Sequence, residues 1–225
     1  MTETLEDLRI STSKEPVDQL KKAIVTYDPE LAESAAKQIV EQGIDPIEAL
    51  NAMTVAIRLV GDAFGAGELW LPDLVGASHA MMAAMPIIEE EIKRKGARRE
   101  TLGTIVAGTV FGDIHSIGKT MVCTLLTAEG FEVHDLGVNI KAEEFIEAIE
   151  KYNADILAMS ALMTMTAPEQ GKVIAALKEK GIREKVKIMV GGGAITADFA
   201  ETIGADGYDP TAPGAVELAK KLVGR

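Results

Sequence analysis

The sequence predicts an α/β protein in two parts, an N-terminal four-helix bundle followed by a five-stranded, doubly wound parallel-sheet domain. Three observations predict this. Up to about residue 95, apolar residues recur at three- and four-residue steps. From Thr101 onward, short apolar runs alternate with helical patterns, as in a parallel sheet covered on both faces. Aromatics make up only 4% of the chain while Ala, Gly and Met are abundant, which suits helices and a parallel sheet better than a β-sandwich. The composition changes at Lys95-Gly96-Ala97, so the expected domains are residues 1–95 and 96–225.

Taken in order, residues 1–14 lack periodicity and are expected to fray or to form a loose first helix. Helices are expected at 17–25, 29–41, 46–64 and 73–92. Asp28-Pro29 and Asp45-Pro46 each read as an N-cap followed by proline at the first helical position, and Gly43 stops the second helix. In the third helix Leu50, Met53, Ile57, Val60 and Phe64 share one face, and Gly65-Ala66-Gly67 breaks it. Short turns between amphipathic helices make a bundle. Strands are then expected at 102–110, 132–136, 156–160, 186–190 and 207–208, with helices at 117–128, 142–151, 168–179, 196–203 and 213–222. Pro168 opens one of these helices, and Gly130 and Gly181 follow the ends of others.

The charge balance narrows the function. A formal net charge of −12 argues against nucleic-acid binding, because phosphate contacts need clustered Lys and Arg. The basic cluster Lys93-Arg94-Lys95 with Arg98 and Arg99 falls where a linker is expected and reads as a solvated hinge. The lone Cys123 leaves no internal disulfide, which fits a reducing, cytoplasmic setting; on a helix against the sheet it reads as a small apolar group. The N-terminus is acidic and polar, without a secretory h-region, and no run of about 18 apolar residues suggests a membrane span.

Chemistry concentrates in three turns at the carboxyl ends of strands. Asp113-Ile114-His115-Ser116-Ile117-Gly118 follows the first strand, Ser160-Ala161-Leu162-Met163-Thr164 the third, and Gly191-Gly192-Gly193 the fourth. In a Rossmann/flavodoxin-like sheet ordered 2-1-3-4-5, strands 1, 3 and 4 are neighbours, and ligands bind where the order reverses. The three turns therefore line one cleft. Asp113 is placed to accept the second ring N–H of His115, as acids do behind metal-bound imidazoles. Ser160 is expected to hydrogen-bond that acid from the next strand. Ser116, Thr120 and Thr164 add short hydroxyls, and Gly118 with Gly191-Gly192 clears space for a ligand against backbone. One histidine cannot hold a bare Zn²⁺, which needs about four ligands. Neither His79 nor His134 obviously joins His115, so a metal there would take most ligands from a cofactor. A glycine-rich turn alone could equally bind phosphate, although Gly-x-x-x-x-Gly-Lys-Ser/Thr and Gly-x-Gly-x-x-Gly are missing from the first turn.

Asp113-x-His115-x-x-Gly118, Ser160-x-Leu162 and Gly191-Gly192, at these spacings, resemble the cobalamin-binding signature of the methionine-synthase type. Val60-Gly61-Asp62-Ala63-Phe64 with Leu69-Trp70-Leu71-Pro72 resembles the helical cap of the same family. The likeness runs from about Val17 onward and is closest to the stand-alone corrinoid proteins of methylamine and related methyltransferase systems in methanogens and anaerobic bacteria. The third glycine, Gly193, departs from the pattern and leaves the register of that turn open.

The resemblance implies a corrinoid bound base-off and His-on, carried as methylcobalamin when loaded. His115 would be the lower cobalt ligand, with Asp113 behind it. Gly118, Ser160, Leu162 and Gly191-Gly192 would line the route of the dimethylbenzimidazole tail, with Ser116, Ile117 and Thr164 in the same binding surface. Phe64 and Leu71 would cover the upper face of the corrin. Trp70 and the stripe Met81, Met82 and Met85 would either share in that or fill the bundle core. The implied function is a methyl carrier, not a complete enzyme: a substrate-specific methyltransferase loads Co(I), and a second methyltransferase removes the methyl group to coenzyme M or tetrahydrofolate. A reductive activase is a further implied partner; nucleic acid and membrane are not. Cobalamin-binding subunits of adenosylcobalamin mutases share the histidine motif but generally lack the helical cap, and cobalamin sensors usually carry a DNA-binding segment.

Overall fold

The computed structural model describes residues 4–96 and 101–224. The chain divides into two units between Glu100 and Thr101.

The first unit is helical. Its first element, α1 (Leu5–Ile10), is a helix where no periodicity marked one. Thr4 and Asp7 cap it reciprocally, the Asp7 N–H donating to Thr4 Oγ1 and the Thr4 N–H to Asp7 Oδ2. Then come α2 (Pro16–Val25), α3 (Pro29–Glu41), α4 (Pro46–Gly65) and α5 (Leu71–Lys95). The two Asp-Pro starts behave as expected: Asp28 Oδ1 accepts from Leu31 N at 3.0 Å and Asp45 Oδ1 from Ile47 N at 2.9 Å.

α5 starts two residues earlier than expected, because Asp73 stands on its first turn and closes back on the Trp70 N–H at 2.8 Å. It also runs on to Lys95, so Lys93, Arg94 and Lys95 form its last turn and not a hinge. Arg94 pairs with the buried Glu91 at 2.6 Å, and Lys95 donates to the carbonyls of Gly43 and Ile44 at 3.3 and 3.2 Å. Arg98 and Arg99 lie outside the described residues. By length and composition α5 is apolar enough to cross a membrane. Its stripe of Leu74, Ala77, Met81, Ala84 and Ile88 is buried, and the helix packs on α3 and α4 as the core helix of a bundle. Of the residues with two readings, Met81 is bundle core, while Met82 and Trp70 are 61% and 75% exposed.

The second unit is a five-stranded parallel sheet of β1 (Thr104–Thr109), β2 (Glu132–Asp135), β3 (Ile156–Ser160), β4 (Lys187–Gly191) and β5 (Gly207–Tyr208), in the order 2-1-3-4-5. The helices α6 (Ile117–Ala128), α7 (Ala142–Tyr152), α8 (Ala167–Glu179), α9 (Ala197–Ile203) and α10 (Ala212–Leu222) connect or follow the strands. Side chains alternate across the pleat. Val106, Leu157, Ile188 and Val190 pack with Phe145 and Ile146 of α7 and Val173 and Ile174 of α8. Gly108 belongs to that face; a Cβ there would sit 2.6 Å from the Phe145 ring, so the glycine lets α7 approach.

The opposite face carries two register rows. Ala107, Ala158 and Met189 lie side by side on β1, β3 and β4, and two residues further on come Thr109, Ser160 and Gly191. These rows and the ends of their strands position the site.

Candidate corrinoid site

The turn after β1 is built to present one imidazole. Gly112 turns the chain with φ +79°, a left-handed conformation that favours glycine. Its N–H donates to Asn139 Oδ1 at 2.8 Å, and the Asn139 N–H returns to the carbonyl of Asp113 at 3.0 Å. Thr109 Oγ1 donates to the carbonyl of His115 at 3.0 Å, which fixes the backbone just before α6.

Asp113 is fully buried. Its Oδ1 lies 2.8 Å from His115 Nδ1 and accepts from the His115 N–H at 3.1 Å. Its Oδ2 accepts from Thr166 Oγ1 at 2.6 Å and from the N–H groups of Leu162 and Met163 at 2.8 and 3.3 Å. Burial works against the charge, but the hydrogen bonds from Thr166, from the His115 backbone and ring and from Leu162 outweigh it. They hold the carboxyl well below the usual carboxylate range. An ionised Asp113 accepts a hydrogen bond from the Nδ1–H of His115, so the lone pair of Nε2 is the one the ring offers. The His115 side chain is 46% exposed, and among the described residues nothing engages Nε2.

Ser160 does not fill the place expected for it. The hydroxyl on Asp113 is that of Thr166, which the loop after β3 folds back over the carboxylate. Ser160 stands instead in the Thr109–Ser160–Gly191 row and lines a crevice. Thr164 is exposed on that same loop, Ser116 is the residue before α6 and makes no side-chain cap, and Ile117 is 64% exposed beside it. Leu162 is 45% exposed and contributes its N–H to Asp113. Phe64 and Leu71 are half-buried in the first unit, near the end of α4 and at the start of α5.

The crevice has a volume of about 390 Å³ and lies among α6, α10 and the ends of β1, β3, β4 and β5. Gly118, Ser160, Gly191 and Gly192 all line it. Around the Cβ positions of Gly118 and Gly191 there is nothing within 4 Å, so a side chain there would project into open space. Gly192 differs: with φ +115°, a Cβ would collide with the Ala161 carbonyl. Gly193 lies 2.8 Å, measured at its Cβ position, from Leu162 Cδ1. The three glycines thus differ in what a side chain at each would meet.

Sequence reasoning missed Thr166, Asn139 and Gln170. Gln170 is fully buried on α8 and donates from Nε2 to the carbonyls of Met159 and Gly191, both at 3.1 Å. It ties the ends of β3 and β4 together beneath the glycine turn.

Among the described residues no three His, Cys, Asp or Glu side chains converge as a metal site. The donor set is one oriented imidazole, three residues before a glycine that lines the crevice. It fits a metal that arrives inside an organic ring carrying a side arm, and it does not fit a bare ion.

Two models described as B12 binding domains match the chain, one over residues 103–217 and the other over residues 17–89. The chain belongs to the B12-binding corrinoid proteins. It is 40% identical to the trimethylamine corrinoid protein of Methanosarcina barkeri, over 94% of this chain and 98% of that one. It is 42% identical to dimethylamine corrinoid protein 1 of Methanosarcina mazei, over 94% and 98%. Among solved structures it resembles a chain of the methanol:cobalamin methyltransferase complex of Methanosarcina barkeri, with a TM-score of 0.78 and 30% identity over 99% of this chain and 86% of that one. For a corrinoid protein, the fold and the helical region ahead of it are therefore those of the family.

Proposed function

We propose that this corrinoid protein is a methyl carrier that binds its cofactor with the lower base displaced and His115 in its place. The observation that carries the proposal is the buried, ionised Asp113 holding His115 Nδ1, so that Nε2 is offered beside a crevice of a size to take the displaced base. When bound, the corrinoid supplies a cobalt that accepts a methyl group from one partner and releases it to another.

The chain's own residues do the rest. His115 would hold the cobalt through Nε2. Asp113 fixes the tautomer and, through its hydrogen bond to Nδ1–H, would raise the basicity with which Nε2 meets the cobalt. Thr166 and the Leu162 and Met163 N–H groups keep Asp113 charged, a task first expected of Ser160. Gly118, Ser160, Leu162, Gly191 and Gly192 admit the tail, with Ser116, Ile117 and Thr164 around the opening. On the strength of the family pattern, Phe64 and Leu71 are the residues by which the helical unit meets the upper face and keeps water from it.

The partners in this reading are a substrate-specific methyltransferase, a second methyltransferase acting on coenzyme M or tetrahydrofolate, and a reductive activase. Support for the first comes from the likeness to a chain of a methyltransferase complex and from relatives named for trimethylamine and dimethylamine.

The test is reconstitution of the apoprotein with cobalamin after uniform ¹⁵N-histidine labelling, followed by electron paramagnetic resonance of the Co(II) form. Coupling to ¹⁵N, lost in His115→Ala, is the expected result. Coupling to the unlabelled benzimidazole nitrogen would overturn the axial role.

A further inference from the structure

We infer that the crevice beside His115 selects corrinoids by the polarity of their lower base, taking a benzimidazole-type base in preference to a purine. This rests on the reading above, in which the displaced base enters that crevice.

The floor is the row Ala107, Ala158 and Met189. Two alanines on neighbouring strands leave a slot, and Val122 and Ala215 help to close it. At about 390 Å³ the space is in the range that takes a flat bicyclic ring with part of its sugar.

The polar groups of the lining are committed elsewhere or sit at half-buried positions. The Lys119 ammonium is buried and bound to Asp135. Asp209 Oδ1 accepts from both Thr211 N and Thr211 Oγ1 at 2.8 Å, and the carboxylate lies against Gly214 on the first turn of α10, where a Cβ would collide with both of its oxygens. The carbonyls of Met159 and Gly191 are taken by Gln170. Cys123 is held as a neutral thiol by its burial and behaves as a small apolar wall. Two half-buried hydroxyls, those of Ser160 and Tyr208, have no partner among the described side chains.

A benzimidazole released from cobalt has one free ring nitrogen, and a single hydroxyl satisfies it. An adenine carries an exocyclic amino group and several ring nitrogens around its edge. Each polar atom buried without a partner forfeits its hydration and gains nothing back. The apolar floor and walls offer the purine edge too few partners.

The experiment titrates the full-length apoprotein with three corrinoids: cobalamin, the analogue with adenine as lower base, and cobinamide, which has no nucleotide tail. Binding is read from the absorbance change and by calorimetry. Cobalamin is expected to bind at least about tenfold more tightly than the adenine analogue, and cobinamide more weakly than cobalamin. An adenine analogue within about twofold of cobalamin, with cobinamide still weaker, overturns the inference while leaving the tail-in-crevice reading in place. Cobinamide binding as tightly as cobalamin overturns that reading as well. Ala158→Ser, which sets a hydroxyl in the floor, is expected to narrow the gap between cobalamin and the adenine analogue by about threefold with the circular dichroism unchanged. A gap that stays the same in this variant overturns the assignment of the preference to the crevice floor.

Discussion

Asp113 is charged in the fold in spite of its own burial, and that makes part of the stability depend on pH. Its folded carboxyl titrates below the unfolded one, which titrates near 4. The ionised form therefore favours the fold. The contribution is fully present above about pH 4 and is lost as the pH falls below that value toward the folded one. Asp113→Asn is expected to lower the urea midpoint at pH 7 and to flatten its fall between about pH 4 and 2; a fall parallel to that of the unaltered chain would remove Asp113 as the group responsible. Thr166→Val takes away one charge-assisted hydrogen bond and should cost about 1.5–3 kcal/mol in the same assay at pH 7. Ser160→Ala should cost less than about 1 kcal/mol, because its hydroxyl faces the crevice and not the carboxylate.

The cysteine makes a separate test of the crevice. Burial first, and then the Asp135 charge, push the Cys123 thiol up to about 12. At pH 8 the native thiol should react with a disulfide reagent more than about a hundredfold more slowly than in urea, since the thiolate is the nucleophile. Because Cys123 lines the crevice, loading with cobalamin should slow it further. Equal rates in the loaded and free protein would mean that nothing of the corrinoid enters there.

At the scale of elements, the helix caps and the order of the sheet agree with what the sequence predicts, and the hydroxyl that reaches Asp113 from a distant loop does not. Asp28-Pro29 and Asp45-Pro46 mark helix starts because the cap acts within three residues, and the apolar runs mark every strand to within two residues at either end. For residues 1–14 the sequence left fraying and a loose first helix both open, because the six residues of α1 are too few to show a period and Thr4 and Asp7 are an inconspicuous pair of caps. In the site, Asp113 and His115 were legible from being two residues apart, but Thr166 reaches Asp113 from 53 residues away and no spacing rule connects them. The floor was hidden for another reason. Ala107 and Ala158 look like ordinary strand core until the parallel register sets them side by side. Ala158→Leu fills that slot; it is expected to weaken cobalamin binding by more than about a hundredfold while leaving the far-ultraviolet circular dichroism intact, since the added side chain occupies space the fold leaves open.

At the scale of the whole molecule, the two units have different stakes in the cofactor. A ligand that binds only the folded state stabilises it by an amount set by its concentration over Kd, about 2.7 kcal/mol at a hundredfold excess. Amide exchange that passes through unfolding of the binding unit then slows by about the same hundredfold factor. The crevice and His115 belong to the α/β unit alone, so cobalamin loading should slow exchange in α6, β3, β4 and the turn carrying Gly192. The interior of α2 and α3 should exchange at its former rate, because those helices lend no residue to the site. Between these extremes lies the stretch from Val60 to Pro72, which carries Phe64 and Leu71. If those residues meet the corrinoid, exchange there slows on loading, and the slowing is lost in Leu71→Ala while protection in α6 remains. Exchange mass spectrometry of the loaded and free protein reads all three regions at once. Protection confined to residues 101–225 would take the upper-face role away from the helical unit and leave the His115 site untouched.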